Sequence, residues 1–286
     1  MKATAVYHQK NSLFYFSRVP FFTVFLGFLF VFCVKVGFCA GISVIGELKR
    51  EATLEPGAKT AGKIIVCNNS DKPQQVKVYQ TDYLFWADGR NEYGEPGNTP
   101  RSNAKWIKVT PLQITVPPKS TESIYYTIEV PQDENLCGTY WSMLMVEPIP
   151  EKMLKPPNPE EDKVTVGIYT VLRYGIQLVT HIGKTGTCEI KFVDKQILEK
   201  EGKKTFSLDI ENTGERALAP LLWAELYDQQ GILVGRFEAG RMGIYPGCSA
   251  RFRIDLSGLP AGRYKAIVVA DCGDENVFGA QYDLEF

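Results

Sequence analysis

One pattern is written twice in this chain, once in each half. In each copy a turn leads into a strand of alternating apolar and polar residues, and a proline and a Gly-x-Tyr triplet follow before the next apolar run. The first copy comprises Pro117–Ser120, Ile124–Val130, Pro131 and Gly138–Tyr140. The second comprises Pro246–Ser249, Phe252–Leu256, Pro260 and Gly262–Tyr264. Because a repeated pattern marks a repeated structural unit, it indicates two domains of one kind.

The pattern predicts an all-β fold of two tandem immunoglobulin-like β-sandwiches behind a signal peptide. In such a sandwich a corner joins strands E and F, and a tyrosine there hydrogen-bonds back to the chain. The 286 residues are too many for one small sandwich and suit two. No helical periodicity is found beyond the N-terminal segment. We predict domains at residues 41–183 and 184–286, the second also of fibronectin type III kind.

Residues 1–40 have the composition of a secretory signal. Three basic residues precede an uncharged apolar run from Val19 to Val34, and small residues follow around Ala40. These are the three parts of a signal peptide, so we expect export and cleavage near Ala40. The apolar run is short for a membrane-spanning segment. A signal anchor and a lipoprotein beginning at Cys39 are the alternatives.

Net charge argues against a nucleic-acid partner. Removal of the signal takes away four of the 32 basic residues and none of the 33 acidic ones, leaving a formal charge of −5. No basic patch with interleaved aromatic residues remains in the rest of the sequence. Proteins that bind nucleic acid usually carry such a patch, and we expect no such partner.

Cysteine spacing predicts few disulfides. Export suggests an oxidising compartment, where cysteines can pair. Five cysteines follow the predicted signal, and an odd number leaves at least one of them unpaired within the monomer. Cys67 closes strand B and Cys137 precedes strand F, and these strands run in the same direction, so we expect no bond between the two. The other three cysteines fall at strand ends on one pole, where a pair is feasible: Cys188, Cys248 and Cys272.

Histidine content argues against an enzyme. Only His181 remains once the signal is removed, so a histidine-based triad or a multi-histidine zinc site cannot be assembled. Acidic residues are not clustered, and glycine-rich phosphate-binding patterns are absent from the sequence. The run Asp271–Glu275 is interpreted as a hairpin turn rather than a calcium loop. We expect no catalysis, no cofactor, no metal and no small-molecule substrate.

A long strand is predicted from Val164 to Thr180. This strand would be much longer than the five or six residues of an average strand. Its even positions form one apolar face: Val164, Val166, Ile168, Thr170, Leu172, Tyr174, Ile176 and Leu178. The preceding segment, Pro148–Asp162, is rich in proline and charge and is expected to be a mobile loop. A second long loop is expected from Ala87 to Asn103.

From Gly41 to about Val179 the chain resembles the periplasmic chaperones that assemble pili by the chaperone–usher route. The matching stretches, in order, are Gly41–Val44, Glu55–Lys59, Val66–Pro73, Trp106–Pro111, Val116–Lys119 and Gly138–Ser142. Each is a turn-and-strand signature of modest specificity, and their order makes the set more specific. The resemblance implies a periplasmic protein, pilus or surface-fibre subunits as partners, and an outer-membrane usher as a further one.

Strand donation is the activity that the resemblance implies. In that family the long last strand of the first domain is lent to a subunit whose own sandwich lacks a strand. Backbone hydrogen bonds then supply affinity, and alternate side chains fill the subunit's groove. The implied donor residues here are Val164, Val166, Ile168, Leu172 and Tyr174.

The same family holds the subunit's terminal carboxylate with one basic residue on the first strand and one low on the long strand. The candidates here are Lys49, Arg50 and Arg173. By strict count the first position falls on Glu51, and the closest match to the second is Gln177. The chain therefore looks like a divergent relative, and solvated strand-edge residues are the alternative interpretation of Arg50 and Arg173.

Two classes of function follow. One is an exported chaperone for fibre subunits. The other is a secreted or surface protein that uses the same sandwiches in a structural or adhesive role, since fold does not dictate function. An exposed edge on the long strand favours the first, and an edge covered by the chain's own strands favours the second.

Overall fold

The computed structural model describes residues 41–150, 170–273 and 276–286. The predicted signal peptide, most of the proline-rich loop and the donor residues Val164, Val166 and Ile168 lie outside these ranges. Within them no helix is long and apolar enough to cross a membrane, and no group of residues is arranged to hold a metal ion. Residues 39–286 form one compact unit.

In the described part of residues 42–182, the first sandwich has ten strands. They are β1 (Ile42–Ile45), β2 (Lys49–Leu54), β3 (Lys59–Asn68), β4 (Gln74–Phe85), β5 (Asn91–Gly94), β6 (Ile107–Thr110), β7 (Gln113–Val116), β8 (Ser120–Glu129), β9 (Gly138–Ile149) and β10 (Tyr174–Ile182). A 3₁₀ turn over Ala104–Trp106 precedes β6. One sheet has the order β1-β3-β8-β6, and the other has the order β2-β10-β9-β4-β5, with β7 also paired to β4.

The core of the first sandwich lies between these two sheets. Because successive side chains of a strand point to opposite faces, every second residue enters the core. Fully buried examples from β3, β9 and β10 are Ile64, Val66, Leu144, Val146, Ile176 and Leu178. Burial of each such side chain contributes about 1.5–3 kcal/mol to the free energy of folding.

The second sandwich, residues 190–285, has seven strands among its described residues. They are β11 (Ile190–Lys200), β12 (Lys203–Asn212), β13 (Leu221–Tyr227), β14 (Leu233–Arg241), β15 (Ser249–Asp255), β16 (Arg263–Asp271) and β17 (Val277–Glu285). Their sheets have the orders β11-β12-β15 and β14-β13-β16-β17. The all-β class and the two tandem immunoglobulin-like sandwiches are thus confirmed. The boundary near Gly183 between independently folding domains stays a prediction.

Both predicted corners contain the expected tyrosine. The hydroxyl of Tyr264 donates a 2.9 Å hydrogen bond to the carbonyl of Pro260. In the first sandwich Tyr140 takes the corresponding position, and its ring packs against Trp106 with centroids 4.6 Å apart. The repeated pattern therefore places a packed tyrosine at both corners.

The predicted long strand is interrupted in its described part. Residues 170–173 are not in a strand, β10 runs from Tyr174 to Ile182, and residues 164–169 lie outside the described residues. Pro148 of β9 explains why β10 starts at Tyr174. Tyr174 pairs with Val146, and every second residue of β9 bonds to β10, so Pro148 would form the next hydrogen bond. Proline has no N–H to donate, and the pairing therefore stops.

One further expectation needs correction, and the cysteine pairing that the sequence left open has an outcome. The segment from Ala87 to Asn103 is not all loop, because β5 folds back on the end of β4. Its remainder is fastened by the buried carboxylate of Asp82, which accepts hydrogen bonds from three backbone N–H groups: Gly97 at 3.0 Å, Asn98 at 2.9 Å and Thr99 at 2.7 Å. The feasible disulfide among the last three cysteines is absent, since all five cysteines of the described part are free.

The Tyr264 hydrogen bond yields a stability prediction. Tyr264→Phe keeps the packed ring and removes the bond to Pro260, so we expect the free energy of unfolding to fall by about 0.5–1.5 kcal/mol. Urea denaturation measures this change. The matched control is Tyr125→Phe, whose ring is 56% exposed, and it should leave stability within error. Equal stability of Tyr264→Phe and the unmodified protein would contradict a role for the corner.

Candidate binding site

The edge of β10 is only half covered. On one side β10 pairs with β9 along its whole length, from Tyr174 opposite Val146 to Ile182 opposite Gly138. On the other side the parallel partner β2 begins only at Gln177, which lies opposite Lys49. Among the described residues no strand pairs with Tyr174, Gly175 or Ile176 on that side, so the sheet has an open edge there.

Backbone direction shows which groups that edge offers. The N–H groups of Gln177 and Gly183 donate to carbonyls on the β2 side, at 2.8 and 3.1 Å. Residues two apart in a strand point the same way, so the N–H and C=O of Gly175 also face the open edge. A side chain at position 175 would overlap the sulfur of Met143. Glycine thus keeps the backbone accessible while Met143 covers the outer face.

Exposed apolar side chains stand at both ends of the open edge. Leu48, whose carbonyl accepts the Gln177 bond, is 46% exposed, and Leu172 is 58% exposed. Between them the hydroxyl of Tyr174 donates to the carbonyl of Ile42 at 3.2 Å and holds the start of β10 in place. An extended chain with an alternating pattern could add to this edge and cover both leucines.

Arg173 lies just before the strand and already has an acidic neighbour. Its side chain is 60% exposed, and its guanidinium lies 3.9 Å from the carboxylate of Glu147. Glu147 also accepts a 2.7 Å bond from the hydroxyl of Tyr79 and a 3.0 Å ion pair from Lys77. Burial opposes ionisation of Glu147, but these partners outweigh it and hold its pKa below the usual value.

Arg50 and Lys49 lie on opposite faces of β2. Arg50 lies beside Gly46 and near Tyr126, towards the core of the first sandwich. Lys49 faces the second sandwich. Arg173 is four residues before the partner of Lys49, about 13 Å along an extended chain. The structure therefore does not bring the three predicted basic residues together.

Lys49 instead lines a cleft of about 550 Å³ between the sandwiches. The other lining residues are Glu51, Tyr83, Phe85, Gln177, His181, Ala217, Leu218, Ala219, Gly243, Ile244 and Tyr245. Glu51, reached by strict count from the Pro-Gly turn, and Gln177, the closest match to the second family position, are among them. The cleft opens where β2 takes over the edge of β10, so the end of a chain added to the open edge would meet it.

Charge in the cleft is concentrated on three side chains. The ammonium of Lys49 lies 2.6 Å from Glu51 Oε1, and His181 Nε2 lies 3.5 Å from the same oxygen. Burial opposes ionisation of Glu51, but the bond and charge of Lys49 outweigh it and lower its pKa. Burial also lowers the pKa of His181, and the attraction of Glu51 offsets this only in part.

Aromatic packing forms the floor of the cleft. The ring of Tyr245 stacks on Trp141 with centroids 4.7 Å apart and meets the edge of Phe85 at 5.9 Å. Its hydroxyl donates to the side-chain carbonyl of Gln177. Tyr245 is 5% exposed and Trp141 is 3% exposed, and both belong to the core cluster of the second sandwich. The sandwiches therefore share one packed interface.

Glu215 links the two sandwiches at the edge of this interface through hydrogen bonds and an ion pair. Its carboxylate accepts hydrogen bonds from the Cys137 thiol at 3.3 Å and the Thr187 N–H at 3.1 Å, and it pairs with Arg101 at 3.1 Å. Its backbone carbonyl accepts the N–H of Thr139 at 2.8 Å. The two hydrogen bonds to its carboxylate and the charge of Arg101 lower the pKa of Glu215.

Sequence reasoning missed the contribution of the second sandwich to the cleft. Tyr245 stands before the predicted turn at Pro246, where no periodic signal distinguishes a packing residue from a loop residue. The bond from Tyr245 to Gln177 depends on how the two sandwiches meet. A pattern read along the chain does not contain that geometry.

Comparisons with known proteins give solved structures of similar fold. One is from a chaperone–tip adhesin complex of CFA/I fimbriae biogenesis, with 14% identity and a TM-score of 0.46 over 85% of this chain and 98% of that chain. The class 5 fimbriae chaperone CfaA has 15% identity and a TM-score of 0.42 over the same shares. A chain of the CsuC–CsuE chaperone–tip subunit complex of Acinetobacter baumannii Csu pili has 13% identity and a TM-score of 0.42, also over 85% and 98%.

No family model matches the chain, and no curated protein does. Two of these three structures are chaperone–subunit complexes of fimbriae or pili, and the third is a fimbriae chaperone. Similarity at these identities is a similarity of fold. The roles of the open edge and the cleft therefore rest on the geometry of this chain.

His181 yields a pH prediction. Because burial holds its pKa below the usual value of about 6.5, the neutral ring contributes stability above pH 6.5 that is lost as the pH falls towards the folded pKa. In protein beginning at Gly41 it is the only histidine. We expect His181→Gln to lose less stability than the unmodified protein between pH 7.5 and pH 5.5, as measured by urea midpoints. Identical pH dependence of the two proteins would contradict this.

Proposed function

We propose that this protein is a non-enzymatic, chaperone-like protein of the periplasm that binds an incomplete β-sandwich subunit of a pilus or surface fibre. The open edge of β10 carries the proposal. Backbone groups without a strand partner at a sheet edge are a template for another chain, and the described part of this edge is flanked by exposed leucines. The predicted signal peptide would supply export, and an outer-membrane usher would be a later partner.

Strand addition would begin at Gly175, whose N–H and C=O face the open edge. A partner strand there would cover Leu48 and Leu172, and each buried apolar side chain would add hydrophobic stabilisation to the backbone bonds. The predicted donor residues Leu172 and Tyr174 lie at this edge. Val164, Val166 and Ile168 would extend the donated strand, although they lie outside the described residues.

A carboxylate anchor is the second part of the proposal. Lys49 would hold the terminal carboxylate of the partner, because it lines the cleft at the point where the open edge ends. Gln177 would assist as a neutral donor through its Nε2, because its bond with Tyr245 is accepted by Oε1. Arg50 and Arg173 would contribute less, since one lies towards the core and the other beside Glu147.

The test places charge on the edge without disturbing the core. We expect Leu48→Lys combined with Leu172→Lys to weaken binding of a fluorescent alternating Val/Thr peptide by roughly tenfold or more, about 1.4 kcal/mol. Lysine at a sheet edge opposes addition of another strand. Fluorescence anisotropy measures the affinity, and suppression of aggregation of a pilin-like sandwich lacking one strand measures chaperoning.

The matched control carries the same two changes elsewhere. Leu112→Lys with Ile232→Lys alters side chains that are 61% and 64% exposed and lie away from the β10 edge, so binding should be unchanged. If both double variants bind the peptide like the unmodified protein, the edge is not the binding site. If the unmodified protein neither binds the peptide nor suppresses aggregation, the structural or adhesive role becomes the better account.

A further inference from the structure

The charge of the interdomain cleft bears on when a carboxylate can enter it. Lys49 is already engaged, with its ammonium 2.6 Å from Glu51. The two residues are 45% and 47% exposed, so both can meet a ligand. They are the charged residues of the lining when His181 is neutral, and their charges cancel. An incoming carboxylate would therefore have to compete with Glu51 for Lys49.

His181 is placed to change this balance. Its Nε2 faces the same Glu51 oxygen as Lys49, at 3.5 Å. Its Nδ1 lies 3.0 Å from the hydroxyl of Thr139, which already accepts the N–H of Ala217 at 2.9 Å. That hydroxyl can therefore donate its own proton to Nδ1, which favours the neutral ring with its proton on Nε2.

The other charged and titratable groups around the ring come from four segments of the chain. Arg216 acts on His181 from the segment before β13, and Lys184 lies in the adjoining depression after β10. Tyr83 of β4 and Tyr245 line the cleft, and burial raises the pKa of both, so they stay neutral in the acidic range. His181 is thus the group whose charge changes as the pH falls below neutral.

We propose that Glu51 and His181 make the cleft a carboxylate site controlled by protons. When His181 takes a proton from solvent, its cationic ring pairs with Glu51, Lys49 is released towards the partner's terminal carboxylate, and the charge of the lining changes from zero to one positive. This inference rests on the proposed function, because it concerns the anchoring of an added strand. It names Glu51 and His181 as the residues that set the specificity of the cleft for a carboxylate.

The experiment compares two peptides across pH. One is the alternating Val/Thr peptide with a free terminal carboxylate, and the other is the same peptide with a terminal amide. The measured quantity is the ratio of their affinities at pH 8 and at pH 5.5, where a terminal carboxylate with a pKa of about 3.5 stays ionised. We expect the preference for the carboxylate to rise about two- to fivefold at the lower pH, the range of an exposed ion pair.

Variants assign the effect. Glu51→Gln frees Lys49 at every pH, so the carboxylate preference should already be high at pH 8. His181→Gln should keep the preference flat across the range. Glu129→Gln is the matched control, since it removes an acidic residue paired with Lys59 and Lys108 on the other sheet, and it should behave like the unmodified protein. Circular dichroism and urea midpoints check that each variant is folded.

The outcomes separate this inference from the proposal beneath it. If both peptides bind equally well at every pH, strand addition stands and the cleft is not a carboxylate site. If the preference rises equally in His181→Gln, another group is responsible and the inference is wrong. If neither peptide binds at any pH, strand addition fails and this inference fails with it.

Discussion

The register between β2 and β10 is the constraint on which the rest of the account depends. Parallel pairing starts at Gln177, opposite Lys49, so the backbone of Gly175 faces an edge that none of the described strands covers. A buried backbone N–H or C=O group needs a hydrogen-bonding partner within the protein. At a sheet edge such a group can instead hydrogen-bond to a strand of another chain. The same register places Glu51 and His181 close together on neighbouring strands. One pairing thus defines both the open edge and the charged cleft at its end.

The interface between the sandwiches makes this arrangement rigid enough to act as a site. Tyr245 from the second sandwich packs on Trp141 of β9 and bonds to Gln177 of β10. Glu215 fastens Cys137 and Thr187 at the rim. Because the aromatic residues are almost fully buried, the wall of the cleft is part of a packed core. A partner chain that ends in the cleft would meet groups already held in position.

Much of the fold could be predicted from the sequence, and the reasons are local. The Gly-x-Tyr corners and the alternating strands around Ile124 and Phe252 carry their own signals, since period-2 burial is visible along the chain. The start of β10 could not be predicted, because the apolar alternation continues before Tyr174. It was set by Pro148 on the neighbouring strand, a cross-strand effect that a single-segment pattern does not include.

The candidate site, too, could be predicted only in part from the sequence. Counting from the Pro-Gly turn gave Glu51, and matching to the family position on the long strand gave Gln177; both line the cleft. Choosing residues by charge gave Lys49, which also lines the cleft, and Arg50 and Arg173, which do not. Tyr245 was missed because its role exists only where two sandwiches meet. The most direct test of the account is amide hydrogen exchange at Gly175 with and without a sandwich that lacks one strand. The account predicts that Gly175 exchanges quickly alone and slowly in the complex, while Ile176, paired to β9, is slow in both. A complex that forms with no added protection at Gly175 would contradict it.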